Sequence, residues 1–389
     1  MTKRFAQQFR VIIAAGLMPL SVAAQQAGEV TKLDPMVVTA IKPLIKVAEH
    51  PMIEPRFGAA VVTAGGYLYI IGGSNRDGTR LDTVERVDLR TGHATPWTRL
   101  KIARRHHRAV VTDGKIYVLG GTSGPSDPDD PLSEELSDYS GDDQTIIGDS
   151  FPPNLMAPPE NQLGRPNLRQ FAIPYFYEAT MEVIDLVTGS IVLGPEMPVA
   201  KALFGCVLVD GQILVIGGQK RRGNDVFCTN TTEVFDLKAG TWSKGINMPT
   251  PRRCTATLVD DFVVILGGQR GAHTLSVVEV FNPQEKVWRR FPDLAEPVNP
   301  GATVWAGNYL FLFGSQQAPT RQLVYDLRSK QLVPYPLALP NSDFAAAVLH
   351  EGKIYVVGGA NIRQHDTSDT IQVFAPIVEA ESPVISPKK

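Results

Sequence analysis

A turn dipeptide, an alternating apolar run and a glycine pair recur along this chain of 389 residues. The copies are GGYLYIIGG ending at Gly73, DGKIYVLGG at Gly121, DGQILVIGG at Gly218, DDFVVILGG at Gly268 and EGKIYVVGG at Gly359. A worn copy, GNYLFLFGS, ends at Ser315. Their first glycines, at 72, 120, 217, 267, 314 and 358, step by 48, 97, 50, 47 and 44. A fixed period of this size means one supersecondary unit per repeat, each burying its faces against its neighbours.

The unit can be read strand by strand. An apolar run stands upstream in each copy: AAVVT, AVVT, CVLV, TATLV, ATVW and AAAVL. It meets the next run across a two-residue turn such as Asp113-Gly114, Asp210-Gly211 or Glu351-Gly352, which is a hairpin signal. A third strand follows in VERVDL, MEVIDL, TEVFDL, VEVFN, LVYDL and IQVF, and a fourth carries Trp97, Trp242 or Trp288. Four short antiparallel strands per period describe one propeller blade. A sandwich or a β-helix predicts neither the period nor the tryptophan positions. The 34 Gly and 30 Pro, spread without a low-complexity tract, fit many short elements joined by turns.

The Gly-Gly pairs, the V-E-V-[FYD]-D strand and the tryptophan strand resemble the kelch repeat. All six copies fit in order over residues 44–376, so the resemblance implies an all-β, six-bladed kelch-type β-propeller. The last unit has no fourth strand after Phe374. The stretch LIKVAEHPM from Leu44 looks like the fourth strand elsewhere. We therefore expect the last blade to be closed by this N-terminal strand, leaving 377–389 as a C-terminal tail. The long second step is one blade plus an insert, residues 122–178, which is acidic and Pro-rich and has no Lys or Arg up to Gly164. A segment of this kind is either a solvated loop or a lid or partner-binding arm.

The beginning of the chain reads as an address. Lys3, Arg4 and Arg10 precede the apolar run VIIAAGLMPL, and small residues precede a cut after Ala24, so 1–24 is read as a signal peptide and 25–43 as a linker. The apolar run is too short to span a bilayer, and no membrane span is expected. The expected location is periplasmic or secreted, the short apolar region suggesting a bacterial source. Leu33 to Ala40 (LDPMVVTA) resembles the energy-coupling box of TonB-dependent receptors; the plainer reading is a linker or an added strand. Three cysteines allow one bond within the chain in an oxidising compartment, and Cys228 with Cys254 is the better pair because both fall on one face.

In the hairpin order above, residues before strand one and after each Gly-Gly open on one face. That mouth collects Arg56, Arg105 and Arg252, then His107, Phe204 and Cys254, then Arg76, Gln219, Arg221, Gln269, Arg270 and Asn361. Arginine forks recognise carboxylates and phosphates, though an arginine heading strand one can instead tie blades together through carbonyls. With 38 Lys+Arg against 40 Asp+Glu, the net charge of −2 argues against a nucleic-acid binder. There is no zinc-binding spacing, no nucleophile elbow and no phosphate-cradling loop, and neither a cofactor nor a metal is expected. The reading is a monomeric binding or scaffold module for a protein or a small anionic ligand, rather than an enzyme. Two enzymatic alternatives come from related propellers: a sialic-acid-type mutarotase or epimerase, using Arg105 or Arg252 with His107, and, with weaker support, a copper-radical oxidase.

Overall fold

A computed structural model describes residues 44–124, 175–222, 225–314, 322–335, 337, 339–361 and 366–376. Among them there is no helix, and six four-stranded antiparallel sheets carry the fold. Contacts group Ile45–Ala375 as one unit. The first five blades run in chain order, each from an inner first strand to an outer fourth. Their first strands are Ala60–Ala64, Arg108–Thr112, Gly205–Val209, Thr257–Val259 and Ala302–Ala306. In the sixth, Ala346–His350, Lys353–Val357 and Thr370–Pro376 are followed by Leu44–Pro51 on the outside. The N-terminal strand thus completes the last sheet, as its sequence implied. First strands of successive blades touch all the way round, including the sixth against the first, so the ring is closed.

The hairpin turns form for the expected reason. Asp113 and Gly114 have φ of 50° and 71°, Asp210 and Gly211 50° and 72°, and Glu351 and Gly352 46° and 75°. Two successive left-handed residues match the twist of the flanking strands. Apolar side chains of adjoining blades then interleave. Leu68 and Ile70 of the first blade pack with Tyr355, Val357 and Ile371 of the sixth. Leu119 and Met181 of the second pack with Phe204, Ile213 and Phe235 of the third. The outer tryptophans cover aromatics of their own sheets: Trp97 on Tyr69 at 4.7 Å, Trp242 on Phe235 at 5.1 Å and Trp288 on Phe281 at 5.0 Å.

The glycine pair latches one blade to the next. The Gly73 N–H donates to the Arg104 carbonyl at 2.8 Å, and the same bond recurs from Gly121 to Lys201, Gly218 to Arg252, Gly268 to Val298 and Gly359 to Arg56. A Cβ on Gly72 would lie 2.7 Å from the Arg104 carbonyl, and one on Gly358 2.2 Å from that of Arg56. Only glycine allows that approach. The latch residues themselves are fully buried cations in four blades. Arg56 pairs with Glu85, Arg104 with Glu182 at 2.6 Å, Lys201 with Glu233, and Arg252 with Glu279 at 2.5 Å. In the fifth and sixth blades the latch positions hold Val298 and Ser342, and the carboxylate positions hold Leu323 and Gln372.

Candidate functional site

After each glycine pair the chain rises into a short ribbon or turn on one face of the ring. Ser74 bridges Arg80 in the first blade; Thr122–Ser123 pairs Phe176–Tyr177 in the second. Gln219–Arg222 pairs Asp225–Cys228 in the third, Gln269–Arg270 pairs His273–Thr274 in the fourth, and Ala360–Asn361 pairs Asp366–Thr367 in the sixth. Together these form a crown. Each ribbon is seated by a bridge to the approach segment of a first strand, as in Arg105 to Thr122, Ala202 to Gln219 and Arg253 to Gln269. The insert begins and ends on the second ribbon. Its middle, 125–174, with most of the acidic and proline residues, lies outside the described residues.

Both feet of the insert are held by arginines from flanking blades. Arg80 donates to the Gly124 carbonyl at 2.9 Å. Arg221 donates to the Tyr175 carbonyl at 3.0 Å, and its guanidinium lies 4.1 Å from the centre of the Tyr175 ring. The Arg80 guanidinium lies 5.9 Å from the same ring centre. The ring is therefore clasped between the first and third blades by two cations, and Tyr175 is buried. This fixes where the insert leaves and rejoins the face.

The mouth expected from sequence separates into three groups. On the crown lie Arg76 and Arg270, with Asn361 on the sixth ribbon and Arg221 clasping Tyr175. Gln219 and Gln269 are buried at ribbon bases; Gln269 accepts from Arg253 and Asn299 through Oε1. The rest are interior. Arg56 and Arg252 are spent on Glu85 and Glu279 and on backbone carbonyls, so neither reaches the mouth. The counterpart of Arg56 in the second blade is Arg104; Arg105 is buried beside it with its guanidinium 5.5 Å from the Phe57 ring centre. Two adjacent arginines at the head of the strand hid that one-residue shift.

Phe204 is a core residue between the second and third blades. His107 is completely buried, its ring edge where a Cβ on Gly72 would sit. Burial, reinforced by Arg104 and Arg108, pushes its pKa well below the ordinary histidine value, so it stays neutral. Arg105 or Arg252 with His107 therefore does not form an acid–base set in the mouth. The Cys228–Cys254 bond is not made, and all three cysteines are free. The Cys228 thiol turns to the Gln269 carbonyl at 3.4 Å, while that of Cys254 turns inward to the Ile216 carbonyl at 3.7 Å. Burial raises the pKa of both, and that of Cys206 to about 12, so these are protonated thiols. Among the described residues no three His, Cys, Asp or Glu side chains gather as a metal-binding group.

A central channel lined by the innermost strands is what a propeller implies, but sequence reasoning did not single out Arg108 in its lining. A cavity of about 180 Å³ is lined by first-strand residues and their approach segments from all six blades. Its polar lining includes Arg108, His106, Arg253 and Asn299, and Cys206 and Cys254 face it too. A signal was present. At the position four residues beyond each latch residue, five blades have Ala60, Gly205, Ala256, Ala302 and Ala346, and the second blade has Arg108.

Six blades of glycine-latched, four-stranded sheet define a kelch-type propeller. The Kelch motif model matches residues 55–93, 103–133, 200–249 and 251–295, the four blades that keep the buried cation–glutamate pair. The chain is similar to Spermatocyte protein spe-26 of Caenorhabditis elegans, 33% identical over 30% of this chain and 21% of that protein. It is similar to Kelch domain-containing protein 8B of Rattus norvegicus, 29% identical over 36% of this chain and 43% of the other. An F-box/kelch-repeat protein of Arabidopsis thaliana is 26% identical over 50% of this chain and 44% of its own length. The chain thus spans less than half the length of these relatives. Together the matches show likeness to kelch-repeat proteins over parts of the chain.

Proposed function

We propose that this propeller is an exported docking module that binds a protein through its crown. The observation that carries the reading is the clasp on Tyr175: two blades commit arginines to anchoring an otherwise dispensable insert on one face. A ring that needed only to be stable would gain nothing from that anchorage. Exposed or half-exposed Arg76, Lys220, Arg222 and Arg270, interspersed on the crown with Asp77, Asp225 and Asp366, offer cationic contacts to a partner with an acidic segment. Export rests on residues 1–24, and the relatives named above come from animals and a plant, so a bacterial source has the sequence argument alone. Cleavage after Ala24, read by N-terminal sequencing of the mature protein, supports export; an intact Met1 in exported material or retention in the cytoplasm overturns it.

The docking reading is tested by affinity capture with the full chain, a chain lacking 125–165, and a chain with Arg76, Lys220 and Arg222 changed to Glu. We expect one set of specific partners to be lost in the charge-reversed chain. An identical set from all three proteins overturns the crown as the interface. The mutarotase alternative has no specific support at the residues proposed for it, because His107 and Arg252 do not share a solvent space.

A further inference from the structure

Beyond the docking crown, the channel holds a charge that the fold leaves unanswered. Arg108 opens the first strand of the second blade and lines the cavity. Its Nε donates to the Phe204 carbonyl at 3.1 Å. No carboxylate among the described residues pairs with it, and no Asp or Glu lines the cavity. The contrast with its neighbours is sharp. Arg56, Arg104, Lys201 and Arg252, each four residues before the position equivalent to Arg108 in its blade, each have a dedicated glutamate. Those four fully buried cations each have a carboxylate, whereas half-buried Arg108 has none among the described residues.

The space around Arg108 is also unusual. The five equivalent positions are alanine or glycine, and four of them, Ala60, Ala256, Ala302 and Ala346, line the cavity together with Arg108. Arg253 adds a second cation, and His106, Thr255, Thr303 and Asn299 also line the space. A desolvated cation without a counter-ion is unfavourable, and burial lowers the pKa of Arg108 accordingly. An anion entering the cavity removes that penalty and meets a fork suited to two oxygens. A cavity of about 180 Å³ excludes a drug-sized ligand, which needs roughly 300 Å³ or more.

We propose that the channel is a binding site for a small oxyanion, a carboxylate or a phosphate, seated on the Arg108 guanidinium with hydroxyl and amide groups of the fourth and fifth blades around it. This site is separate from the crown: it needs no partner protein and no insert, so either can fail without the other.

Calorimetric titration of the full chain with malonate, with inorganic phosphate and with chloride at equal ionic strength tests it. We expect saturable binding of malonate or phosphate at one per chain, no saturable heat with chloride, and at least tenfold weaker binding in Arg108→Met. Which oxyanion binds more tightly identifies the source chemistry. Absence of saturable binding for both oxyanions in the wild-type protein overturns the proposal, and this arm requires no variant to fold. Equal binding by wild type and a folded Arg108→Met overturns it as well. Binding that survives Arg108→Met but is lost in Arg253→Met overturns the assignment to Arg108.

Discussion

The latch makes a quantitative prediction at Glu182. This carboxylate is fully buried, accepts from Arg104 Nη2 at 2.6 Å and also caps the Lys101 and Ile102 backbone N–H groups at 2.6 and 3.2 Å. Glu182→Leu leaves Arg104 as an uncompensated charge in a dry site. Breaking one side of such a pair costs about 3–5 kcal/mol. The fifth blade shows the apolar solution, with Val298 at the latch and Leu323 opposite. Arg104→Val combined with Glu182→Leu removes both charges, leaving the two capped N–H groups and the Gly120 and Thr180 carbonyls that Arg104 serves to find other partners. The double variant should still be more stable than Glu182→Leu alone, by about 1 kcal/mol or more, because no unpaired charge is left in the dry site. Equilibrium urea unfolding followed by tryptophan fluorescence gives both values. A double variant no more stable than the single would refute the view that the pair is a charge-compensation device rather than an irreplaceable one.

Other outcomes follow from the same geometry. Gly358→Ala, whose Cβ would meet the Arg56 carbonyl at 2.2 Å, should unfold at lower temperature than Gly211→Ala, whose Cβ meets nothing within 4 Å, although both have positive φ; calorimetry would show equal losses if the latch carried nothing. His107 has a folded-state pKa below its unfolded value, so the unfolded chain takes up a proton that the folded chain refuses. Its contribution is complete above about pH 6.5 and is lost as pH falls below it, so His107→Asn should flatten the stability profile between about pH 7.5 and about pH 5; an unchanged slope counts against it. With the Cys206 thiol pushed up to about 12 and Cys228 and Cys254 also raised, iodoacetamide at neutral pH should label none of them rapidly in the native protein. In denaturant it should label all three, and a reading of one would restore the disulfide.

Which parts of this were legible in the sequence follows from where the information sits. The hairpin turns and blade strands were readable because Asp-Gly pairs and alternating apolar runs are local signals, and the closing strand was readable because the last repeat lacks a member. The site was less legible. Arg56 and Arg252 look like ligand arginines until Glu85 and Glu279, some 27 to 29 residues on, are seen to consume them. Arg104 and Arg105 are adjacent, and only the strand bridge to Thr122 decides which one faces the glutamate. His107 and Phe204 sit where mouth residues were expected, but their side chains turn between blades. Arg108 escaped notice because its meaning lies in the smallness of five residues that are distant in sequence.

Closure of the ring by the N-terminal strand underlies every placement above, and amide hydrogen exchange along Leu44–Pro51 tests it most directly. If this strand is the outer member of the sixth sheet, alternate amides in it should exchange slowly, on the timescale of its partner Thr370–Pro376. Rapid exchange throughout Leu44–Pro51, with Thr370–Pro376 still protected, would contradict the closed six-bladed ring.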